Sequence, residues 1–232
     1  MEDAAASFPS IDLASLNEKI YDIIKQRIIN ADYPPGCKLN VGEISRALGV
    51  SHTPVKDALF RLAGEDLVEI SSRTGTYVKN ITEADIHEII RTRIILETAV
   101  IETVAERITD DQLRQLEDLY QQGLALTVYP NGGTSYRAYM ELDSRFHLLI
   151  FQFAENNRLL NIYRNLNAHM QFVRFRMMNH AGGKLPTTDR EHELILRALR
   201  EHDPEKAKQA IRDHLLRIDK VCVANPQQLE KE

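Results

Sequence analysis

The stretch Val41–Leu62, VGEISRALGVSHTPVKDALFRL, reads as two short helices joined by a tight turn. Ile44, Leu48 and Val50 give the first helix and the turn an apolar side. Gly49 is the residue that can take the left-handed conformation ending that helix. Ser51 stands where an N-cap is wanted. Pro54 falls in the next helix's first turn, where its missing N–H costs nothing. Val55, Leu59 and Leu62 continue a buried face at helical spacing. His52, Thr53, Lys56 and Arg61 are left for other faces. A second helix with hydroxyl and basic side chains near its start is how a helix-turn-helix meets a major groove. An ordinary helical hairpin has the same spacing.

The sequence on either side favours the first reading. Asp66-Leu67-Val68-Glu69-Ile70 alternates like a strand, Ser71–Gly75 is a polar turn holding Arg73 and Thr74, and Thr76-Tyr77-Val78 returns. Leu16–Asn30, with Ile20, Ile23, Ile24, Ile28 and Ile29, supplies a helix to pack beneath. The expected element is a winged helix-turn-helix of three helices plus a small β-hairpin.

Ser51-His52-Thr53-Pro54-Val55-Lys56-Asp57-Ala58-Leu59 resembles the recognition-helix signature of the GntR family of bacterial transcription regulators, usually Ser-Arg-Thr-Pro-Val-Arg-Glu-Ala-Leu. Pro35-Gly36, and Gly75 with Val78, fit as well. The likeness spans roughly residues 16 to 78. It implies contact with double-stranded, pseudo-palindromic operator DNA through Arg46, Ser51, His52, Thr53, Lys56, Arg61, Arg73, Thr74 and Gly75. His52 and Lys56 stand where arginines are usual. Because Lys cannot fork onto guanine as Arg does, the operator sequence is left open.

Composition agrees with a globular protein: 232 residues, 43% hydrophobic, 27% charged. The net charge is −5, but residues 11–80 carry nine Lys/Arg and nine Asp/Glu, 9 − 9 = 0, so the acidic excess lies elsewhere. A DNA-binding face needs a local basic patch, not a basic chain. No apolar run approaches the roughly 18 residues of a membrane span, and no signal-peptide pattern opens the chain. Two cysteines, Cys37 and Cys222, imply no disulfide framework and fit a reducing cytoplasm.

Residues 1–10 read as a disordered tail, 11–79 as the DNA-binding domain, 80–223 as an all-helical antiparallel bundle and 224–232 as a frayed tail. The bundle's helices are expected from Thr82 to about Arg107, with room for a break near Arg91. Others run from Thr109 to about Leu126, Tyr136 to Ala154, Asn157 to about Asn179, Thr188 to about Glu201, and Asp203 to about Val223. The whole chain is therefore mostly α.

The bundle carries four polar residues on apolar faces. Asp143 and His147, four apart, project together beside Tyr139, Phe146, Ile150 and Phe153. His192 precedes Ile195, and His214 sits between Ile211 and Ile218. About the turn at His202, His192 is ten residues back and His214 twelve forward, so along an antiparallel hairpin their heights differ by about 3 Å. Buried carboxylates and imidazoles need partners. They are either satisfied core residues or the ligands of one divalent ion, Zn²⁺ or Ni²⁺ by donor type.

Residues from about Thr82 to Val221 resemble the FCD ligand-sensing domain found behind GntR-type winged helices. Asp143, His147, His192 and His214 match the Asp and three His of its metal-binding members. Arg93-x-x-x-Glu97 matches a further pattern. The resemblance implies a homodimeric regulator controlled by a small organic acid. Arg93, His169 and Arg174 are candidate effector contacts; for Arg93 a structural ion pair competes with that role. Two other readings stay open: a metal-dependent hydrolase, although no His-Glu-x-x-His motif is present, and a purely structural metal.

Overall fold

The computed structural model describes the backbone of residues 13–127, 133–180 and 189–223, and the side chains of residues 16–126, 138–170 and 189–219. The tails read at residues 1–10 and 224–232 lie outside it. The chain divides into two units, residues 1–80 and 81–232.

In the first unit α1 (Leu13–Ile29), α2 (Val41–Leu48) and α3 (His52–Gly64) precede an antiparallel hairpin of β1 (Val68–Ser71) and β2 (Gly75–Val78). Ile20, Ile24 and Ile28 of α1 are buried with Val55, Leu59 and Leu62 of α3 and with Leu67 and Val78. Asn40 caps α2: its side-chain oxygen accepts from Gly42 and Glu43 N–H. Gly49, at φ 68, closes that helix in the left-handed region. Ser51 occupies the N-cap of α3 but makes no side-chain capping bond. The first strand starts two residues later than the alternation suggests. Asp66 is left-handed, φ 63, and its N–H and that of Leu67 bond back to Ala63 and Leu62 carbonyls. It belongs to the end of α3 and cannot begin a strand. Val68 pairs with Val78 and Ser71 with Gly75, so the wing tip is Ser72-Arg73-Thr74.

In the second unit α4 (Glu83–Arg107), α5 (Asp110–Thr127), α6 (Gly133–Phe153), α7 (Asn157–His180), α8 (Asp189–Arg200) and α9 (Pro204–Val223) pack as a bundle. α4 is unbroken at Arg91; no Gly or Pro interrupts Glu83–Arg107. A reciprocal capping box of Thr82 and Asp85 opens it. α6 begins three residues before Tyr136, taking in Gly133. α8 and α9 form the hairpin, with His202 left-handed at φ 47 in its turn. The core gathers Ile90, Ile101 and Val104 of α4, Phe146 and Ile150 of α6, Tyr163 of α7, and Leu199 and Leu215 of the hairpin. Among the described residues no helix is long and apolar enough to cross a membrane.

Candidate metal centre and DNA-binding face

Asp143, His147, His192 and His214 meet in the bundle interior. Each offers one ligand-type atom, and these atoms all lie within 4.8 Å of one another. All four residues are buried, His147 and His214 at 0% exposure. His214 Nε2 is 3.2 Å from His147 Nε2, and His192 Nε2 is 3.3 Å from Asp143 Oδ1. Two nitrogens each about 2.05 Å from one tetrahedral cation stand about 3.3 Å apart, so the spacing suits a shared ion. The Phe146 ring stacks on His192 with centroids 4.5 Å apart and walls one side.

Protonation favours ligation too. Burial, with His192 and His147 beside it, holds His214 well below the usual imidazole range. It is neutral, and its Nδ1 has no hydrogen-bond partner among the described residues. His147 is oriented from behind: its Nδ1 lies 2.7 Å from Glu97 Oε2. With Nδ1–H donated to that carboxylate, the Nε2 lone pair faces the cluster.

Glu97 in turn accepts from Arg93 Nε at 2.7 Å and from Tyr163 OH at 3.0 Å. Burial alone would raise its carboxyl; the Arg93 charge, with the hydrogen bonds from His147 and Arg93, outweighs that and holds it below its ordinary value. Arg93 is fully buried, and Glu97 keeps it charged against the cost of burial. Arg93 Nη2 reaches Tyr163 OH at 3.2 Å, while Nη1 has no hydrogen-bond partner among the described residues. Asp143 is among the charges acting on Arg93. So Arg93 forms the ion pair with Glu97 and still keeps one donor to offer. Sequence reasoning noticed the Arg93–Glu97 spacing but not the Glu97–His147 contact, and it missed Tyr163 altogether. His169 is half-buried on α7. The Arg174 side chain lies outside the described residues.

A cavity of about 10 Å³, bordered by Asp143, Phe146, His192, Tyr139 and Asp189, adjoins the cluster. That is room for about one water. Tyr139 OH donates to Asp189 Oδ1 at 3.0 Å across its rim.

In the first unit Arg46, Ser51, His52, Thr53, Lys56, Arg73 and Thr74 are exposed, and Gly75 is half-buried. Gly75 has φ 119, a conformation side chains resist, and a Cβ there would come within 3.0 Å of Lys38 Cε. Lys38, not singled out by the sequence, therefore lies against the wing, its ammonium 5.9 Å from the Tyr77 ring centroid. Arg61 has another task. Its guanidinium bonds both carboxylate oxygens of Glu18, at 2.8 and 3.2 Å, and lies 4.0 Å from the Tyr21 ring centroid. Tyr21 OH and Lys25 complete this brace on Glu65. Thus α3 is tied to α1 by the residue expected to reach for DNA.

Comparison with known proteins identifies the class. Residues 16–78 match the family of bacterial regulatory proteins, gntR family, and residues 88–217 match the FCD domain. The HTH-type transcriptional repressor RspR of Escherichia coli K12 is 31% identical over 204 residues, covering 88% of this chain and 87% of its own. The HTH-type regulator YdhC of Bacillus subtilis 168 is 27% identical over 197 residues, 84% and 86% of the two chains. In fold, Escherichia coli McbR/YncC superposes with a TM-score of 0.76 at 20% identity, over 90% of this chain and 97% of that one. A GntR regulator from Rhodococcus sp. RHA1 gives 0.75 at 21%, over 91% and 99%. The chain belongs to the GntR family, with an FCD domain behind its winged helix-turn-helix. It is a DNA-binding transcriptional regulator and not an enzyme, which removes the hydrolase alternative.

Proposed function

We propose that this regulator is a homodimer whose operator affinity is set by a small carboxylic acid bound beside a divalent ion in the bundle. Asp143, His147, His192 and His214 would hold the ion, Zn²⁺ or Ni²⁺ by donor type. When bound, such an ion supplies a Lewis-acidic position for an oxygen ligand. The observation that carries the effector reading is Arg93. A permanently charged, fully buried guanidinium with an unspent N–H, in the field of Asp143, suits a carboxylate. Glu97 offsets its charge at rest and keeps His147 in the ligating tautomer. The adjoining cavity is too small for an acid, so binding on that side requires Tyr139 or its neighbours to move. A ligand that favours the moved arrangement shifts the population toward it, and that coupling is what would alter operator affinity.

On the DNA side, Thr53, Lys56, His52 and Ser51 at the start of α3 would enter the major groove. Arg46 would hold a phosphate, and Arg73-Thr74-Gly75 would follow the backbone.

Calorimetric titration of zinc-loaded protein with a panel of small mono- and dicarboxylic acids tests the reading. At least one acid should bind, and Arg93→Met should lose it while retaining zinc. Equal binding by native protein and Arg93→Met would overturn the role of Arg93. A purely structural metal would show as a chelated protein that melts lower yet still responds to its effector on operator DNA.

A further inference from the structure

The small cavity beside the cluster has an inner and an outer end. Asp143, Phe146 and His192, all buried, line the inner end; Tyr120 and Asp189, at the outer end, are half-buried. Tyr139, 7% exposed, donates its hydroxyl to Asp189 Oδ1 at 3.0 Å across the rim. Room for one water passes no hydrated divalent ion, so entry on this side needs Tyr139 to move. Gly123 of α5 gives it somewhere to go. A Cβ at Gly123 would touch the Tyr139 ring at 3.5 Å, so the glycine leaves a gap about one methyl deep beside the ring. A glycine inside a helix otherwise only weakens it.

The mouth also has a sign. Asp189 opens α8 and precedes His192 by three residues, so the two side chains project from one face, one turn apart. Burial, then the charges of Glu193 and Asp189, push the Tyr120 hydroxyl above its ordinary value, which sets both carboxylates at this rim. Such a rim raises the local concentration of cations and repels acids.

We propose that this is the port through which the divalent ion is loaded, with Tyr139 as its gate and Asp189 as the carboxylate that receives the ion. The inference rests on the metal reading and adds a route to it. With the gate closed, the phenol engages Asp189. With the ring tilted toward Gly123, the carboxylate is released one helical turn from His192. The gate sets how fast the ion exchanges, whereas the four ligands set how tightly it is held.

Stopped-flow exchange of zinc between the full-length protein and a chromophoric chelator tests it. Tyr139→Phe removes the hydroxyl and keeps the ring. It should load and release zinc about tenfold faster, with the dissociation constant within about twofold of native. Gly123→Ala fills the gap and should slow both rates, again with affinity kept. Asp189→Asn still accepts from Tyr139 but carries no charge. Its loading should slow about fivefold at low salt, with a flatter salt dependence; loading at the native rate would overturn the role of Asp189. Unchanged rates in Tyr139→Phe overturn the gate. So does a faster release matched by an equal loss of affinity, the mark of a tyrosine that only supports the ligands. Should Tyr139→Phe misfold, native rates in Gly123→Ala overturn the gate instead. A native chain that binds no zinc overturns the metal reading and the port together. Tight zinc binding with native rates in every variant overturns the port alone.

Discussion

Glu97 Oε2 stands 2.7 Å from His147 Nδ1, although fifty residues separate them in the chain. One carboxylate on α4 thereby decides which nitrogen of an α6 imidazole meets the cluster. Glu97→Gln preserves shape but not charge, and can donate where it should accept. We expect zinc affinity to fall about 10- to 100-fold, read by competition with a chromophoric chelator. The same change strands Arg93 without its counter-charge, so melting should drop as well. Unaltered zinc affinity would remove Glu97 from any part in holding His147.

Chelation should lower the melting temperature of the helical unit, and zinc should restore it. At a hundredfold excess over the dissociation constant the gain is about 2.7 kcal/mol, or several degrees for a unit of this size. His214→Ala should lose the response to zinc. A chelator-insensitive native melt would show that the four side chains hold no ion.

Lys56→Ala and Arg73→Ala should each weaken operator binding, and a lost phosphate contact should lower the salt slope by about one. Arg61→Ala should leave operator affinity within about twofold of native, because its guanidinium is held by Glu18 and Tyr21. Electrophoretic mobility shifts across a salt series separate the two behaviours. A loss for Arg61→Ala as large as that for Lys56→Ala would return Arg61 to the DNA face.

Tyr21 gives the winged helix a response to alkali. Burial, then its bond to Glu65, push its hydroxyl above the ordinary tyrosine value. A raised folded-state value means stability is fully present below the unfolded value, about 10. It is lost as pH rises from there through the folded value. Denaturant midpoints of the native chain should fall from pH 10 upward. Tyr21→Phe, less stable at pH 8, should fall less steeply. Parallel curves would show that Tyr21 carries none of the dependence.

What the sequence disclosed was what is local. Gly49 and Pro54 mark the helix-turn-helix because left-handed backbone and a missing N–H are properties of single residues. The Asp143–His147 spacing sets two side chains on one face, and the symmetry of His192 and His214 about His202 sets two more at one level, because helix rise is fixed; that the two pairs meet depends on how the helices pack. Other features depend on neighbours far along the chain. The pairing of Arg61 with Glu18, forty-three residues earlier, leaves no periodic trace. Ser51 sits at the N-cap position yet makes no capping bond, and Asn40, unremarked, caps α2. The left-handed Asp66 was hidden because its alternation with Leu67 and Val68 mimics a strand.

Two residues, Ile81 and Thr82, separate the winged unit from the first turn of α4. That helix then runs 25 residues without a Gly or Pro, about 37 Å of nearly inextensible rod. Near its midpoint Glu97 grips a histidine of the cluster. With no kink in the helix, a tilt imposed at Glu97 would be carried along α4 as far as its Thr82 cap.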